Sequence, residues 1–243
     1  PSVIVNAAAY TAVDKAESEP ALARAINTEA PDVLATEAKS LGALLVHYST
    51  DYVFDGSGHS PWTEDSVPAP LSIYGATKLG GEEAIRASGC LHLILRTSWV
   101  YGARGNNFPR TMLRLAMERD ELGVVADQFG APTGADLLAD ATAHAVRTFL
   151  GNTNLSGTYH LAASGETNWW EYASFVIEHA RSLGAPVRVA KDAVRPILSS
   201  DYPTRASRPL NSRLDSSKFT DAFGLALPAW RGGVARMLEE GAY

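Results

Sequence analysis

The strongest constraint on the fold is the alternation of strand and helix patterns in the first hundred residues. Residues 43–48 (ALLVHY) and 91–98 (LHLILRTS) are apolar runs of strand length, which is typical of strands covered on both faces. Apolar residues at helical spacing occupy 20–41 and 72–87, with Pro31 in the first turn of a second helix, where its missing N–H costs nothing. This order predicts an α/β fold with a doubly wound parallel sheet.

The second half of the chain is less regular and predicts a second, smaller domain. Helical patterns cover 107–119, 136–150 and 167–183, and short strand patterns cover 123–126, which could return to the sheet, and 157–162. We assign residues 1–103 and about 120–162 to the sheet domain. Residues of about 104–119 and 163–243 are assigned to a smaller interleaved α/β domain.

Composition excludes several classes of protein. The formal net charge of the 243 residues is −6, whereas nonspecific nucleic-acid binding needs a basic surface. No apolar stretch approaches the roughly 20 residues that span a bilayer. The single cysteine, Cys90, cannot form an internal disulfide and fits a reducing, cytoplasmic location. We therefore expect a protein that binds neither nucleic acid nor membranes.

Polar clusters lie where a parallel sheet binds its ligands, at the carboxyl ends of strands. These clusters are Ser49-Thr50-Asp51, the helix start with Tyr74 and Lys78, and residues 96–102. Tyr74 and Lys78 are four residues apart and share a helix face, so the ammonium is expected to lower the pKa of the phenol. Such a phenol can give a proton to a carbonyl oxygen as hydride reaches the carbon. The Thr50 hydroxyl can hydrogen-bond the same oxygen.

Longer runs carry a resemblance to a known family. Thr50, Tyr74 and Lys78 match the Ser/Thr–Tyr–Lys triad of the short-chain dehydrogenase/reductases. The runs STDYVFDG and RTSWVYG, beginning at Ser49 and Arg96, are more specific. Further matching runs lie at 5–14 (VNAAAYTAVD), 74–82, 107–108, 127–133 and 208–215 (RPLNSRLD). The chain therefore resembles the extended branch of this family, which acts on nucleotide sugars.

The resemblance implies a fold, a reaction and three catalytic residues. The larger domain is then a Rossmann-like NAD(P)-binding domain, with its first βα units missing, and the smaller one binds a sugar nucleotide. The implied reaction is reduction by NADPH or NADH of the C4 ketone of dTDP-6-deoxy-L-lyxo-4-hexulose, giving dTDP-L-rhamnose. Tyr74 is the implied proton donor, Lys78 binds the nicotinamide ribose and tunes Tyr74, and Thr50 completes the triad.

Binding residues are implied in the same way. The cofactor contacts, besides Tyr74 and Lys78, are Ala8, Ala9, Tyr10 and Thr11. The substrate contacts are Thr50, Asp51, Trp99, Arg208 and Asn211. The Trp99 indole offers a flat apolar wall to the sugar, and a guanidinium such as that of Arg208 binds a diphosphate through two parallel hydrogen bonds. No metal ligands are assigned. The choice between NADPH and NADH, a need for Mg²⁺ and a homodimer are left open.

Simpler structural roles stand beside these assignments. Thr50 could cap the turn that follows it, Trp99 could be core, and Arg208 could be a solvated loop charge. Trp169 and Trp170 are expected to pack rather than to stack on a ligand. The histidines show no metal-ligand spacing, and His47 falls inside a buried-strand pattern.

One expected feature is missing from these residues. No G-x-G-x-x-G or G-x-x-G-x-x-G opens a helix after a strand, so no cradle for a dinucleotide pyrophosphate is present. Because Val3–Ala9 resembles a strand near the middle of such a sheet, we expect two or more βα units upstream, on the order of 50–60 residues. The natural chain is then about 300 residues long. If no cradle lies upstream of these residues, the polypeptide is expected to hold the cofactor poorly.

Two alternatives to the reductase follow. The first is a reductase-like, nucleotide-binding regulatory subunit without turnover. The second is another extended reductase, an epimerase or a dehydratase that acts on a nucleotide sugar. Dehydratases usually add a carboxylate beside the triad threonine, and here Asp51 is followed by Tyr52, which favours reduction.

Overall fold

A computed structural model describes residues 1–241 of the chain. Its strands are β1 (Val3–Asn6), β2 (Leu44–Thr50), β3 (His92–Thr97), β4 (Val100–Tyr101), β5 (Leu122–Val125), β6 (Phe129–Gly130), β7 (Thr133–Gly134), β8 (Gly157–His160), β9 (Thr167–Asn168) and β10 (Val194–Ile197). Its α-helices are α1 (Val13–Ala16), α2 (Pro20–Arg24), α3 (Ala30–Leu41), α4 (Ile73–Ser88), α5 (Phe108–Glu118), α6 (Ala135–Gly151), α7 (Trp169–Ser182), α8 (Ser217–Phe223) and α9 (Trp230–Glu239). None of these helices is long and apolar enough to cross a membrane.

The chain divides into two compact units. The first unit contains Pro1–Thr97, Thr142–Leu161 and Thr204–Leu225, and the second contains Ser98–Ala141, Ala162–Pro203 and Ala226–Tyr243. Compared with the predicted boundaries, residues 98–103 and 120–141 fall in the second unit, and residues 204–225 fall in the first. In the first unit, Trp62 pairs with Leu214. Long-range contacts of this kind have no local sequence signal, and they join 204–225 to the sheet unit.

The first unit is built on a four-stranded parallel sheet with the order β1-β2-β3-β8. Side chains of a strand alternate between the two faces of a sheet. Leu45 packs with residues of α3 and α4 on one face, whereas the Tyr48 hydroxyl, on the opposite face, is 2.7 Å from the Thr142 hydroxyl of α6. Helices therefore cover both faces, and the predicted doubly wound, Rossmann-like α/β fold is confirmed.

The predicted helical region over 20–41 is helical throughout, but its helix type changes along the chain. A π-helical turn, Ala25–Glu29, joins α2 to α3, and Pro31 lies in the first turn of α3 as predicted. The wider turn buries Asn27, whose amide oxygen accepts the Tyr10 N–H at 2.8 Å and whose amide nitrogen donates to the Tyr10 carbonyl at 3.1 Å. Such turns often mark functional positions, and this one holds the loop that follows β1.

The second unit contains only two-stranded sheets. β10 pairs with β5, β4 with β7, and β6 with β9. The expectation that residues 123–126 could return to the main sheet is therefore wrong, because their partner is Val194–Ile197. The core of this unit is aromatic and aliphatic, and Tyr172, Val176 and Val234 are fully buried in it.

A buried ion pair joins helix α4 to the sheet. Glu82 and Arg96 have exposures of 0% and 2%. The Arg96 guanidinium donates to the Glu82 carboxylate through Nε at 2.8 Å and Nη2 at 2.6 Å. Ser49 and Arg86 also donate to Glu82. Burial favours the neutral acid, but these donors hold the pKa of Glu82 below its usual value.

Breaking this pair is expected to destabilise the first unit strongly. Glu82→Gln leaves the Arg96 charge buried without a counterion, which costs about 3–5 kcal/mol of unfolding free energy. Urea denaturation followed by circular dichroism measures the difference. Glu83→Gln on the exposed side of the same helix is the matched control and should change the free energy by less than about 0.5 kcal/mol. Equal effects of the two substitutions would contradict this prediction.

Candidate active site

Thr50 and Asp51 lie at the carboxyl end of β2 and are both buried. The Thr50 hydroxyl accepts the Tyr52 N–H at 3.1 Å, so the threonine caps the turn over Asp51–Val53. The same hydroxyl donates to Asp51 Oδ1 at 3.0 Å. Thr50 also interacts with Tyr74, the predicted proton donor. It therefore caps the turn and lies beside Tyr74 at the same time.

Tyr74 lies in the first turn of α4, close to the end of β2. Ser72 caps this helix by accepting the Gly75 N–H. Gly75 permits the close approach, since a Cβ there would lie 2.2 Å from the Tyr52 carbonyl oxygen. The Tyr74 ring meets the Tyr52 ring edge to face, with centroids 5.5 Å apart. The helix start is thereby held against the turn that carries Asp51.

The electrostatics of Tyr74 differ from the prediction. Burial raises the pKa of Tyr74 to about 12, and the interaction with Thr50 lowers it only in part. The expected lowering by Lys78 does not occur here, because Lys78 Nζ is directed to the Tyr48 carbonyl oxygen at 2.6 Å and to His47 Nε2 at 3.2 Å. Tyr74 is therefore a protonated phenol at neutral pH, the form that can donate.

Lys78 is enclosed by the sheet and its own helix, with 1% of its surface exposed. Burial lowers the pKa of Lys78 to about 8, although Glu82 opposes the shift. An amine with this pKa can gain or lose a proton close to neutral pH.

Asp51 offers an acceptor that the protein itself leaves unused. Its Oδ2 is buried and has no hydrogen-bond partner among residues 1–241, and the same holds for Oγ1 of Thr97, opposite Thr50 on β3. Burial raises the pKa of Asp51 to about 6, although the nearby Ser212 and Thr50 hydroxyls act to lower it. Buried polar atoms without partners are rare and costly, and these two suit the hydroxyl groups of a sugar.

The loop after β1 reaches the same edge of the sheet. Ala8 and Thr11 are exposed, and Ala9 and Tyr10 are partly so. Asn27 holds the Tyr10 backbone, and its amide nitrogen also lies 3.2 Å from the Thr77 hydroxyl of α4. This loop is thus fixed beside the helix that carries Tyr74 and Lys78. Its contact with a cofactor stays a prediction.

Arg208 and Asn211 have structural partners in the first unit. The Arg208 guanidinium donates to both carboxylate oxygens of Asp14, at 3.1 and 2.7 Å. The Asn211 amide, 2% exposed, donates to the carbonyl oxygens of Ser57 and Ser60 and holds that loop in place. Binding of the nucleotide by either residue stays a prediction.

Trp99 belongs to the second unit and has an unusual backbone. Its φ of 49° makes it the one non-glycine residue with positive φ in the described chain, a conformation that costs free energy and persists only where neighbours enforce it. Its indole stacks on Trp169 with centroids 3.7 Å apart. At Gly130, a Cβ would lie 2.7 Å from the Trp99 ring. The indole is therefore rigidly held, and its contact with a sugar stays a prediction.

Two polar residues of the site were missed from the sequence. His47 is fully buried against Lys78, and Asn6 at the end of β1 is bonded to it. A histidine inside the apolar run 43–48, two residues from Leu45 and hence on the α4 face, was the available signal. In residues 1–241 no group of three or more His, Cys, Asp or Glu side chains is placed to hold a metal ion.

The raised pKa of Asp51 predicts how the free energy of unfolding depends on pH. Because the folded-state pKa of about 6 exceeds the ordinary value, the folded protein binds this proton more tightly than the unfolded chain. The resulting stabilisation is complete at low pH and is lost as pH rises through about 6. Relative to Asp51→Asn, the wild-type unfolding free energy should fall by about 2–3 kcal/mol between about pH 4 and 7.

Urea denaturation at a series of pH values measures this difference. Asp65→Asn, at an exposed aspartate of the following loop, is the control and should track the wild type. A wild-type to Asp51→Asn difference that is constant with pH would contradict the prediction.

Comparisons with known proteins now place the chain in a family. The family model described as the RmlD substrate binding domain matches residues 1–242. The chain is 55% identical over 240 residues to dTDP-4-dehydrorhamnose reductase of Escherichia coli K12, covering 99% of this chain and 80% of that protein. The Salmonella typhimurium enzyme of the same name is 54% identical with the same coverage.

A solved structure agrees. The dTDP-4-dehydrorhamnose reductase of Bacillus anthracis, in complex with NADP, superimposes with a TM-score of 0.86 at 36% identity, covering 99% of this chain and 81% of that one. The chain belongs to the dTDP-4-dehydrorhamnose reductase family.

Proposed function

We propose that the protein reduces the C4 ketone of dTDP-6-deoxy-L-lyxo-4-hexulose to dTDP-L-rhamnose, with NADPH or NADH as reductant. The observation that carries the proposal is the protonated phenol of Tyr74 beside Thr50 at the carboxyl edge of a parallel sheet. Reduction of a ketone needs such a donor at its oxygen. The names of the relatives that are 54–55% identical support the same reaction.

A nicotinamide cofactor supplies the hydride when it is bound. The residues present fit its nicotinamide end, because the Tyr74 hydroxyl, the Thr50 hydroxyl and the Lys78 amine lie at one end of β2 and α4. Lys78 would hold the nicotinamide ribose, and the loop of residues 8–11 would line the cofactor. NADP is favoured over NAD, because the B. anthracis relative was crystallised with NADP.

Proton donation is the task of Tyr74. Its hydroxyl holds the proton at neutral pH, and Thr50 positions the carbonyl oxygen beside it. As the C4 carbon gains the hydride, negative charge develops on the C4 oxygen, and the Tyr74 proton neutralises it. One ketone, one hydride and one proton thus give one secondary alcohol, and the phenolate left on Tyr74 regains its proton before the next turnover.

Of the residues that we assign to the substrate, Asp51 has unused hydrogen-bonding capacity. Asp51 Oδ2 accepts a hydrogen bond from a sugar hydroxyl, which relieves its lack of a partner. Trp99 is assigned to the sugar on the resemblance of its run to the family, and its strained backbone and its stack on Trp169 hold the ring in one position. Arg208 and Asn211 are assigned to the nucleotide on the resemblance of their run to the family.

Tyr74→Phe tests this function. Removal of the phenolic proton is expected to lower kcat/KM at least about 100-fold, the usual contribution of a positioned acid. The loss of NAD(P)H absorbance in the presence of the dTDP-4-keto-6-deoxy sugar measures the rate. Circular dichroism and the urea midpoint should stay at wild-type values, since the ring is retained.

Tyr202→Phe is the matched control, because Tyr202 is an exposed tyrosine of the second unit, and it should keep full activity. Full activity in Tyr74→Phe would contradict the role of Tyr74 as proton donor. A wild-type protein that binds the dTDP sugar without oxidising NAD(P)H would instead favour the regulatory-subunit alternative. Release of water or an epimerised ketone would favour the dehydratase or epimerase.

A further inference from the structure

A buried chain of hydrogen-bonding groups leads to Lys78, and its two middle members, Asn6 and His47, have no part in the reaction described above. It runs from the Ala8 N–H through Asn6 and His47 to Lys78. Asn6, His47 and Lys78 have exposures of 8%, 0% and 1%. In such surroundings each donor must meet an acceptor, because water is not available to replace a missing partner.

The orientation of the Asn6 amide follows from its neighbour. A backbone N–H can only donate, and the Ala8 N–H lies 3.2 Å from Asn6 Oδ1. The oxygen of the amide therefore faces Ala8. The other amide atom, Nδ2, is a donor and lies 3.0 Å from His47 Nδ1.

This orientation decides the tautomer of His47. Since Nδ1 accepts from Asn6, it carries no hydrogen, and the one hydrogen of the neutral imidazole is on Nε2. A doubly protonated ring is opposed by burial and by Lys78, which together bring the pKa of His47 to about 3.

The hydrogen on Nε2 points at Lys78 Nζ, 3.2 Å away. An ammonium has three donors and no lone pair, so it cannot accept this hydrogen bond, whereas a neutral amine can. The amine still donates to the Tyr48 carbonyl oxygen at 2.6 Å. The contact with His47 is therefore satisfied only when Lys78 is neutral.

Few charged groups compete with this effect. Glu82 acts on both Lys78 and His47 and favours the charged form of each, but its carboxylate is bonded to Arg96 of β3. Asp51, in the turn after β2, acts on Tyr74. Several other charged groups near α4 are held by partners of their own: Asp14 pairs with Arg208, Glu17 accepts the Ile73 N–H, Arg24 pairs with Glu29, and Lys39 donates to the Ser88 carbonyl.

We propose that His47 is a positioning residue that favours the neutral amine of Lys78, with Asn6 fixing the tautomer through which it acts. The role of Lys78 in the reaction rests on the proposed function, but its protonation state does not. An amine poised in this way takes up a proton near neutral pH, and that proton places a positive charge where the cofactor ribose is expected to bind.

Asn6→Asp tests the proposal with almost no change of shape. One carboxylate oxygen still accepts the Ala8 N–H, but the other replaces a donor and accepts a hydrogen from His47 Nδ1. The tautomer is then reversed, and Nε2 presents a lone pair that an ammonium can use. We expect the titration midpoint of Lys78 to rise by about one pH unit or more.

His47→Gln separates this effect from the added charge of the aspartate. A glutamine oxygen can accept from the ammonium, so the Lys78 midpoint should rise by about one pH unit in this variant as well. His92→Gln is the matched control, because His92 is a partly buried histidine of β3 whose ring bonds to the Cys90 carbonyl, and it should leave the midpoint unchanged.

The measurement is NMR of the whole chain, labelled with ¹³C at lysine Cε and ¹⁵N in the histidine rings, without substrate or cofactor. The Lys78 signal is identified by its loss in Lys78→Met. In the wild type we expect His47 to carry hydrogen on Nε2 and none on Nδ1 from about pH 6 to 9. A hydrogen on Nδ1 in the wild type, or an unchanged Lys78 midpoint in both variants, would overturn the proposal. The wild-type tautomer can be read even if a variant fails to fold.

The pH dependence of turnover provides the link to function. If the charged form of Lys78 supports reduction, the alkaline limb of the kcat/KM profile of His47→Gln should move to higher pH. The size of this shift should equal that of the Lys78 midpoint, and the limb should not move in His92→Gln. A profile that stays in place while the Lys78 midpoint moves would overturn the catalytic part of this inference. Absence of turnover in the wild type would count against the proposed function and leave the NMR result unaffected.

Discussion

The structure of the first unit depends on how helix α4 brings polar and charged groups into the protein interior. Tyr74, Lys78 and Glu82 are spaced four residues apart and so lie on one face of the helix, which packs against β2 and β3. Lys78 and Glu82 are almost entirely buried, and a charge in such a place is tolerated only with specific partners. Lys78 is hydrogen-bonded to the Tyr48 carbonyl and to His47, and Glu82 is hydrogen-bonded to Arg96 and Ser49.

These polar groups of α4 also determine which end of the sheet carries the candidate catalytic residues. Toward the amino ends of the strands, Leu45, Ile85 and Ile94 form an ordinary apolar cluster. Toward the carboxyl ends, the same helix face carries the amine and the phenol, and the following turn carries Asp51. The close approach at Gly75 and the cap at Ser72 set the start of the helix against that turn. Reactive groups therefore gather at the edge where parallel sheets bind ligands.

The protonation states at this edge are complementary. Burial keeps Tyr74 protonated, raises the pKa of Asp51 to about 6 and lowers that of Lys78 to about 8. Desolvation is the common cause, since it favours the neutral form of each group. At neutral pH the phenol of Tyr74 therefore keeps its proton, whereas Asp51 and Lys78, with pKa values of about 6 and about 8, titrate on either side of neutrality. Reduction of a ketone, the function that we propose, consumes one proton, and the Tyr74 phenol holds one.

What the sequence determined by itself was the order of the first strands and helices and a set of residues predicted to react. Apolar runs predicted β2 and β3, helical spacing predicted the segments around α3 and α4, and a short motif predicted Thr50, Tyr74 and Lys78, because these signals are local. Only the tertiary structure decided the partners of these and other residues. Lys78 bonds to His47 and Tyr48 rather than to Tyr74, and the Arg208 guanidinium pairs with Asp14. Val124 pairs with β10 rather than with a strand of the main sheet. The physical reason is that desolvation and ion pairing depend on neighbours distant in sequence, which spacing along the chain does not encode.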